Sequence, residues 1–152
     1  MEMSAGHQIA RRDLVTLSVE TIHNPDEPRH YMRIKPVRAL ARILFQGEVL
    51  AESRRALRVL EVGRDIYDPV LYFPPDDVPA KLARVAKRTF CPIKGHASYF
   101  DYLSEDGRTL ASELAWSYSE TLDFSADLKD LIAFDASRVA IEEHPLRDAR
   151  ES

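Results

Sequence analysis

Cysteine is nearly absent: Cys91 stands alone in 152 residues, which excludes an intramolecular disulfide and any Cys-x-x-Cys metal knuckle. Glycine is scarce and scattered, at Gly6, Gly47, Gly63, Gly95 and Gly107, so no glycine-rich loop of the phosphate-cradling kind can form. No apolar run approaches the ~20 residues that cross a bilayer, and "MEMSAGHQIARRDL" lacks the charged-then-apolar layout of a secretory signal. A cytoplasmic protein in a reducing compartment, without a membrane partner, is the expectation. There is no Gly-x-Ser-x-Gly elbow, which leaves Ser98 and Ser117 without support as triad nucleophiles. His7, His23, His30 and His144 fall in or beside tails and linkers at spacings that match no metal set. Neither a metal nor another cofactor is expected.

What is there is the composition of a globular protein, 45% hydrophobic and 30% charged, long enough for one ordinary core. The pattern divides into an N-terminal extension, 1–28, whose "HNPDEP" is turn and linker chemistry, one β-rich domain at 29–143, and a tail at 144–152. The net charge of -4 hides a polarity. From Arg29 to Arg64 eight Arg and one Lys face three Glu, so this stretch carries +6 and the remainder -10. Such arginines line the solvent face of strands, stems over apolar neighbours and heads paired with acids. The competing reading is a basic surface for an acidic protein or nucleic acid.

Most elements read as strands. "VRALARILFQGEVLA" predicts a hairpin turning at Gln46-Gly47, where glycine supplies positive φ. "SRRALRVLEVG" fits helix or strand, and "PVLYFP" is extended between prolines. A helix is predicted over residues 77–88, with Asp76 or Asp77 as cap, Pro79 in the first turn, and Val78, Leu82, Val85 and Ala86 on one face. Two strands flank Asp106-Gly107, placing Tyr99 and Phe100 on opposite faces and Leu114, Trp116 and Tyr118 on a shared one. "LIAFDASRVAIEE" gives a last pair of short strands around "DAS". The sum is a mostly β fold, antiparallel sheets packed as a sandwich or tent with one short helix.

Tyr72-Phe73-Pro74, Asp77, Cys91-Pro92, Lys94-Gly95, Tyr99, Ala115-Trp116 and Tyr118, in that order, resemble an uncharacterised family. It is a domain of unknown function whose profile name is nucleotidyltransferase-like, and the likeness covers roughly residues 30 to 143. The resemblance implies a compact β-rich domain and little about chemistry. Glu120 and Thr121 stand where the family tends to have a proline. The transferase label fares poorly on physical grounds, since two-metal transfer needs carboxylates converging on a metal pair about 4 Å apart. Asp76 and Asp77 are adjacent, so on a strand they would face opposite sides.

Chemistry concentrates in "TFCPIKGHASYF". Cys91-Pro92-Ile93-Lys94 fits a four-residue turn and Gly95 the left-handed position after it. That geometry brings Lys94 beside Cys91, where an ammonium favours the thiolate, with His96 able to shuttle a proton. Cys91 reads first as a small buried hydrophobe. Five Lys against sixteen Arg make Lys94 stand out, because a point-like ammonium suits an anion or a carbonyl. Trp116, Tyr118, Tyr99 and Tyr72 would wall a cleft, and Glu61, alone in "RVLEVG", is the candidate inward carboxylate. Two functions follow. The first is a small-ligand binding domain with an aromatic pocket (Glu61, Tyr72, Lys94, Tyr99, Trp116, Tyr118) and an unidentified small molecule as partner. The second is an interaction domain using the basic strands at 29–64, although a nucleic-acid partner is not expected. A homodimer through edge strands is compatible with the pattern.

Overall fold

Eleven strands and two short 3-10 turns make up the described part of the computed structural model, residues 19–146. The strands are β1 (Ile22–Asn24), β2 (Glu27–Pro36), β3 (Ala39–Phe45), β4 (Glu48–Ser53), β5 (Leu57–Val62), β6 (Val70–Tyr72), β7 (Lys81–Cys91), β8 (Gly95–Leu103), β9 (Thr109–Thr121), β10 (Ile132–Phe134) and β11 (Ala140–Pro145). They form three antiparallel sheets, ordered β1-β2-β5-β6, β10-β9-β8-β7 and β11-β3-β4. The mostly β, sandwich-like architecture expected from period-two patterning is present.

The β3–β4 hairpin turns at Gln46 and Gly47, both at positive φ (49° and 84°). This is the backbone that matches the twist of paired strands and that favours glycine. The β8–β9 pair flanks Asp106-Gly107 as read. "LIAFDASRVAIEE" also yields two strands, but they part company: β10 pairs with β9 and β11 with β3. Pro28 lies within β2 and His144 and Pro145 within β11, opposite Leu40 and Ala39. The expectations for residues 1–18 and 147–152 fall outside the described residues.

The predicted helix at 77–88 is not there. Pro75–Asp77 is a single 3-10 turn, and Lys81–Cys91 is the long edge strand β7. Two physical causes explain the error. Asp77 does not cap a helix; its carboxylate accepts from Ser53 Oγ at 2.5 Å and from Arg55 at 3.2 Å. The register of β7 on β8 also slips between Arg84 and Arg88, where a bulge inserts residues without partners. A bulge breaks period two, and here it spaces Leu82, Val85 and Ala86 like one face of a helix.

The middle sheet is the shared wall of two buried clusters. On one, sheet β11-β3-β4 packs through Ala41, Ile43, Leu50 and Ala51 against Tyr102, Leu114, Phe73 and Phe134. On the other, sheet β1-β2-β5-β6 packs through Met32, Val59 and Tyr72 against Ala97, Tyr118, Ala133, Ile93 and Leu128. Phe73 and Ile132 exchange two backbone hydrogen bonds of 2.8 Å, which stitch the end of β6 to β10. That stitch fixes Tyr72 against β9. No helix among the described residues is long and apolar enough to cross a membrane.

Candidate functional site

The turn after β7 sets the site. Lys94 N donates to Cys91 O at 3.2 Å, closing the four-residue turn read from Cys91-Pro92-Ile93-Lys94. Lys94 O in turn accepts from Leu122 N at 3.3 Å and from the buried Ser125 Oγ at 3.1 Å. Gly95 follows at φ 111°, and a Cβ there would stand 2.2 Å from Glu120 O. Only glycine permits both that backbone and that approach of β9. The lysine therefore enters the sheet interface from a backbone pinned on two sides.

Period two then assembles the rings. Trp116 and Tyr118 share a face of β9, and their β8 partners Tyr99 and Ala97 share it too. Tyr72 arrives from β6, its hydroxyl accepting from Trp116 Nε1 at 3.4 Å and its ring 6.5 Å from that of Tyr118. On the neighbouring sheet Met32 of β2 is opposite Glu61 of β5, so Glu61 points inward with it. Glu61, Tyr67, Val70, Tyr72, Lys94, Tyr99, Trp116 and Tyr118 line one open cleft of about 370 Å³. All six residues expected to bind a ligand are thus brought together.

Lys94, only 7% exposed, is bonded to Glu61 Oε1, and its Nζ lies 5.7 Å from the Tyr118 ring centroid. Burial works against the ammonium, the charge and hydrogen bond of Glu61 work for it, and the amine is held above the ordinary lysine value. Burial also pushes the Tyr72 and Tyr118 phenols up, so both stay protonated and can donate. The second Glu61 oxygen shares a 2.6 Å hydrogen bond with His30 Nε2. Lys94 and Glu61 of the cleft thus continue to His30 in a chain whose largely buried carboxylate is satisfied on both oxygens.

Cys91 is half-buried at the end of β7. His96 is elsewhere: about half exposed, its ring lies 4.9 Å from that of Phe90, and its Nδ1 is 3.7 Å from Glu120. The imidazole beside the thiol and carboxylate is His30, which the sequence reading left in a linker. Its signal was the inward alternation Pro28, His30, Met32, Ile34, exposed or half-exposed residues intervening. Tyr67 and Val70 were missed because the loop they border carries no periodicity. Asp76 is exposed and Asp77 is engaged by Ser53 and Arg55, so the two carboxylates do not converge.

No curated protein matches the chain. A family model does, over residues 33–144, under a nucleotidyltransferase-like name and the description domain of unknown function DUF427. That span holds every strand from β3 to β10, and the chain belongs to this family of unknown function.

Proposed function

We propose that the protein binds a small planar molecule in the aromatic cleft, with a carbonyl oxygen of the ligand facing the Lys94 amine. The observation that carries this reading is the convergence of five aromatic rings and one largely buried ion pair on a single cleft of about 370 Å³, a size suited to small organic ligands. Lys94 has three N–H donors and Glu61 accepts one. Because Glu61 already balances the ammonium, a neutral acceptor suits the site better than a full anion. Indole and phenol faces supply the stacking area, and the protonated phenols of Tyr72 and Tyr118 supply further donors.

The basic-surface alternative draws less support. Arg33, Arg42, Arg55 and Arg58 are each ion-paired, to Glu20, to Glu52 and Glu142, to Asp77 and to Glu143. Catalysis by Cys91 with His96 as shuttle lacks a geometric basis, since His96 faces Phe90 and Glu120.

Trp116 is the sole tryptophan, so intrinsic fluorescence reports on the cleft. Titration with aromatic amides, aromatic acids and nucleobases should yield a saturable change for a carbonyl-bearing ring, with a matching rise in melting temperature. Lys94→Met should remove both. Binding that survives Lys94→Met but vanishes with salt or with Arg54→Ala would favour the surface reading instead.

A further inference from the structure

We propose that His30, Glu61 and Cys91 form a binding site for a borderline transition-metal dication, zinc above all, with its fourth position open to an anionic ligand. The three residues come from β2, β5 and the end of β7, and each offers one donor atom within 4.8 Å of the other two. Tetrahedral zinc, with bonds of about 2.0–2.3 Å to nitrogen, oxygen and sulfur, holds its donors roughly 3.3–3.8 Å apart, so binding would bring the Cys91 sulfur inward and part the 2.6 Å His30–Glu61 contact. Thiolate and imidazole beside a single carboxylate select against calcium and magnesium, which take oxygen ligands.

The surroundings fit the assignment. His30 Nε2 and Glu61 Oε2 lie 2.6 Å apart in a hydrogen bond, a contact that a shared metal ion would replace. The other Glu61 oxygen is held by Lys94, which orients the carboxylate as an outer-shell partner does. The His30 ring is seated on Gly63, where a Cβ would come within 3.3 Å of it, and Asn24 Nδ2 ties the β1–β2 turn to Pro92 O at 2.9 Å, next to Cys91. Charge sets the open ligand. A dication with one thiolate and one carboxylate is neutral, and Lys94 then leaves one positive charge in excess, which a bound hydroxide or ligand carboxylate would cancel. A separate cavity of about 480 Å³ opens on the His30 side of the cluster, with Glu27, Arg29, Arg64, Tyr67 and Pro92 in its lining. The expectation that no metal binds rested on histidine spacing along the chain, and the fold supplies a proximity that spacing does not carry.

The test uses the full chain without a histidine tag, treated with a chelator and a phosphine reductant, and titrated with Co²⁺. Because Cys91 is the only cysteine, a sulfur-to-cobalt charge-transfer band can arise from that residue alone. The expected result is such a band saturating at one equivalent, displaced by Zn²⁺ and absent in Cys91→Ser. His30→Ala should weaken binding at least about tenfold. Circular dichroism controls for folding, and His30→Asn replaces the alanine variant if that one unfolds. Cobalt that binds with no sulfur band, or with equal affinity in wild type and the His30 variant, overturns the site.

Discussion

Two interiors meet on the middle sheet, and they are built differently. Ile43, Leu50, Phe73, Leu114 and Phe134 fill the first with hydrocarbon, and Tyr102 is its one polar-tipped member. The second packs Tyr72 and Tyr118 beside buried Lys94 and Ser125, and opens on one side. Both clusters exclude water from the same sheet. Only the second holds a buried charge, whose burial is unfavourable unless it finds a partner. The contrast separates scaffold from proposed site: the hydrocarbon interior makes the fold, and the polar one holds a fixed set of donors and rings at the mouth of a cleft.

Glycine substitutions should separate the two regions most. Gly95→Ala places a Cβ against Glu120 O with φ at 111° and should destabilise by about 4 kcal/mol or more. Gly47→Ala, at φ 84° with open space around it, should cost about 1–2 kcal/mol from backbone strain alone. Urea denaturation gives both values, and equal losses would break the distinction.

Large-to-small changes come next. Phe73→Ala should cost about 3–5 kcal/mol as a cavity in the hydrocarbon interior. Lys94→Met should cost a similar ~3–5 kcal/mol for a different reason, the stranded Glu61 carboxylate. The second loss should largely disappear in Lys94→Met/Glu61→Leu, whereas no partner substitution rescues Phe73→Ala. A double mutant no more stable than the lysine variant would show that charge pairing is not the cause.

Trp116→Phe should cost less than about 1.5 kcal/mol yet weaken ligand binding, because the indole wall and its hydrogen bond to Tyr72 are lost together. Calorimetry on the variant checks both halves.

The smallest effect belongs to β11. The Arg58 hydrogen bond holds the Glu143 carboxyl below the ordinary glutamate value of 4.5. Its folded value lies below its unfolded one, so the stabilisation is present above pH 4.5 and is lost as pH falls through the folded value. For a largely exposed pair this amounts to less than about 1 kcal/mol. Protection factors of β11 amides, taken relative to the intrinsic exchange rate at each pH, should fall less between pH 5 and pH 3 in Glu143→Gln than in wild type, while those of the amides beside Lys94 respond alike in both.

Much of this was legible in the sequence where signal is local. Gln46-Gly47 named its hairpin, Pro92 and Gly95 named their turn, and alternation put Trp116 and Tyr118 on one face. Lys94 and Glu61 were legible as an anomaly, a lysine in a turn and an acid in an apolar strand. Two features were not. The β7 bulge imitates helical spacing, and only pairing with β8 across the register slip makes it a strand. His30 meets Glu61 through the β2–β5 register, and residues 31 apart carry no mark of that meeting along the chain.

The claim that the polar interior is a ligand site is tested most directly by a fragment screen read in nitrogen-edited NMR spectra, where Trp116 supplies the single indole N–H signal. Planar carbonyl-bearing fragments should shift that signal in a saturable way, together with amides of Tyr72, Lys94 and Tyr99. Shifts gathered instead around Arg38 and Arg54, with the indole signal unmoved throughout, would contradict the account.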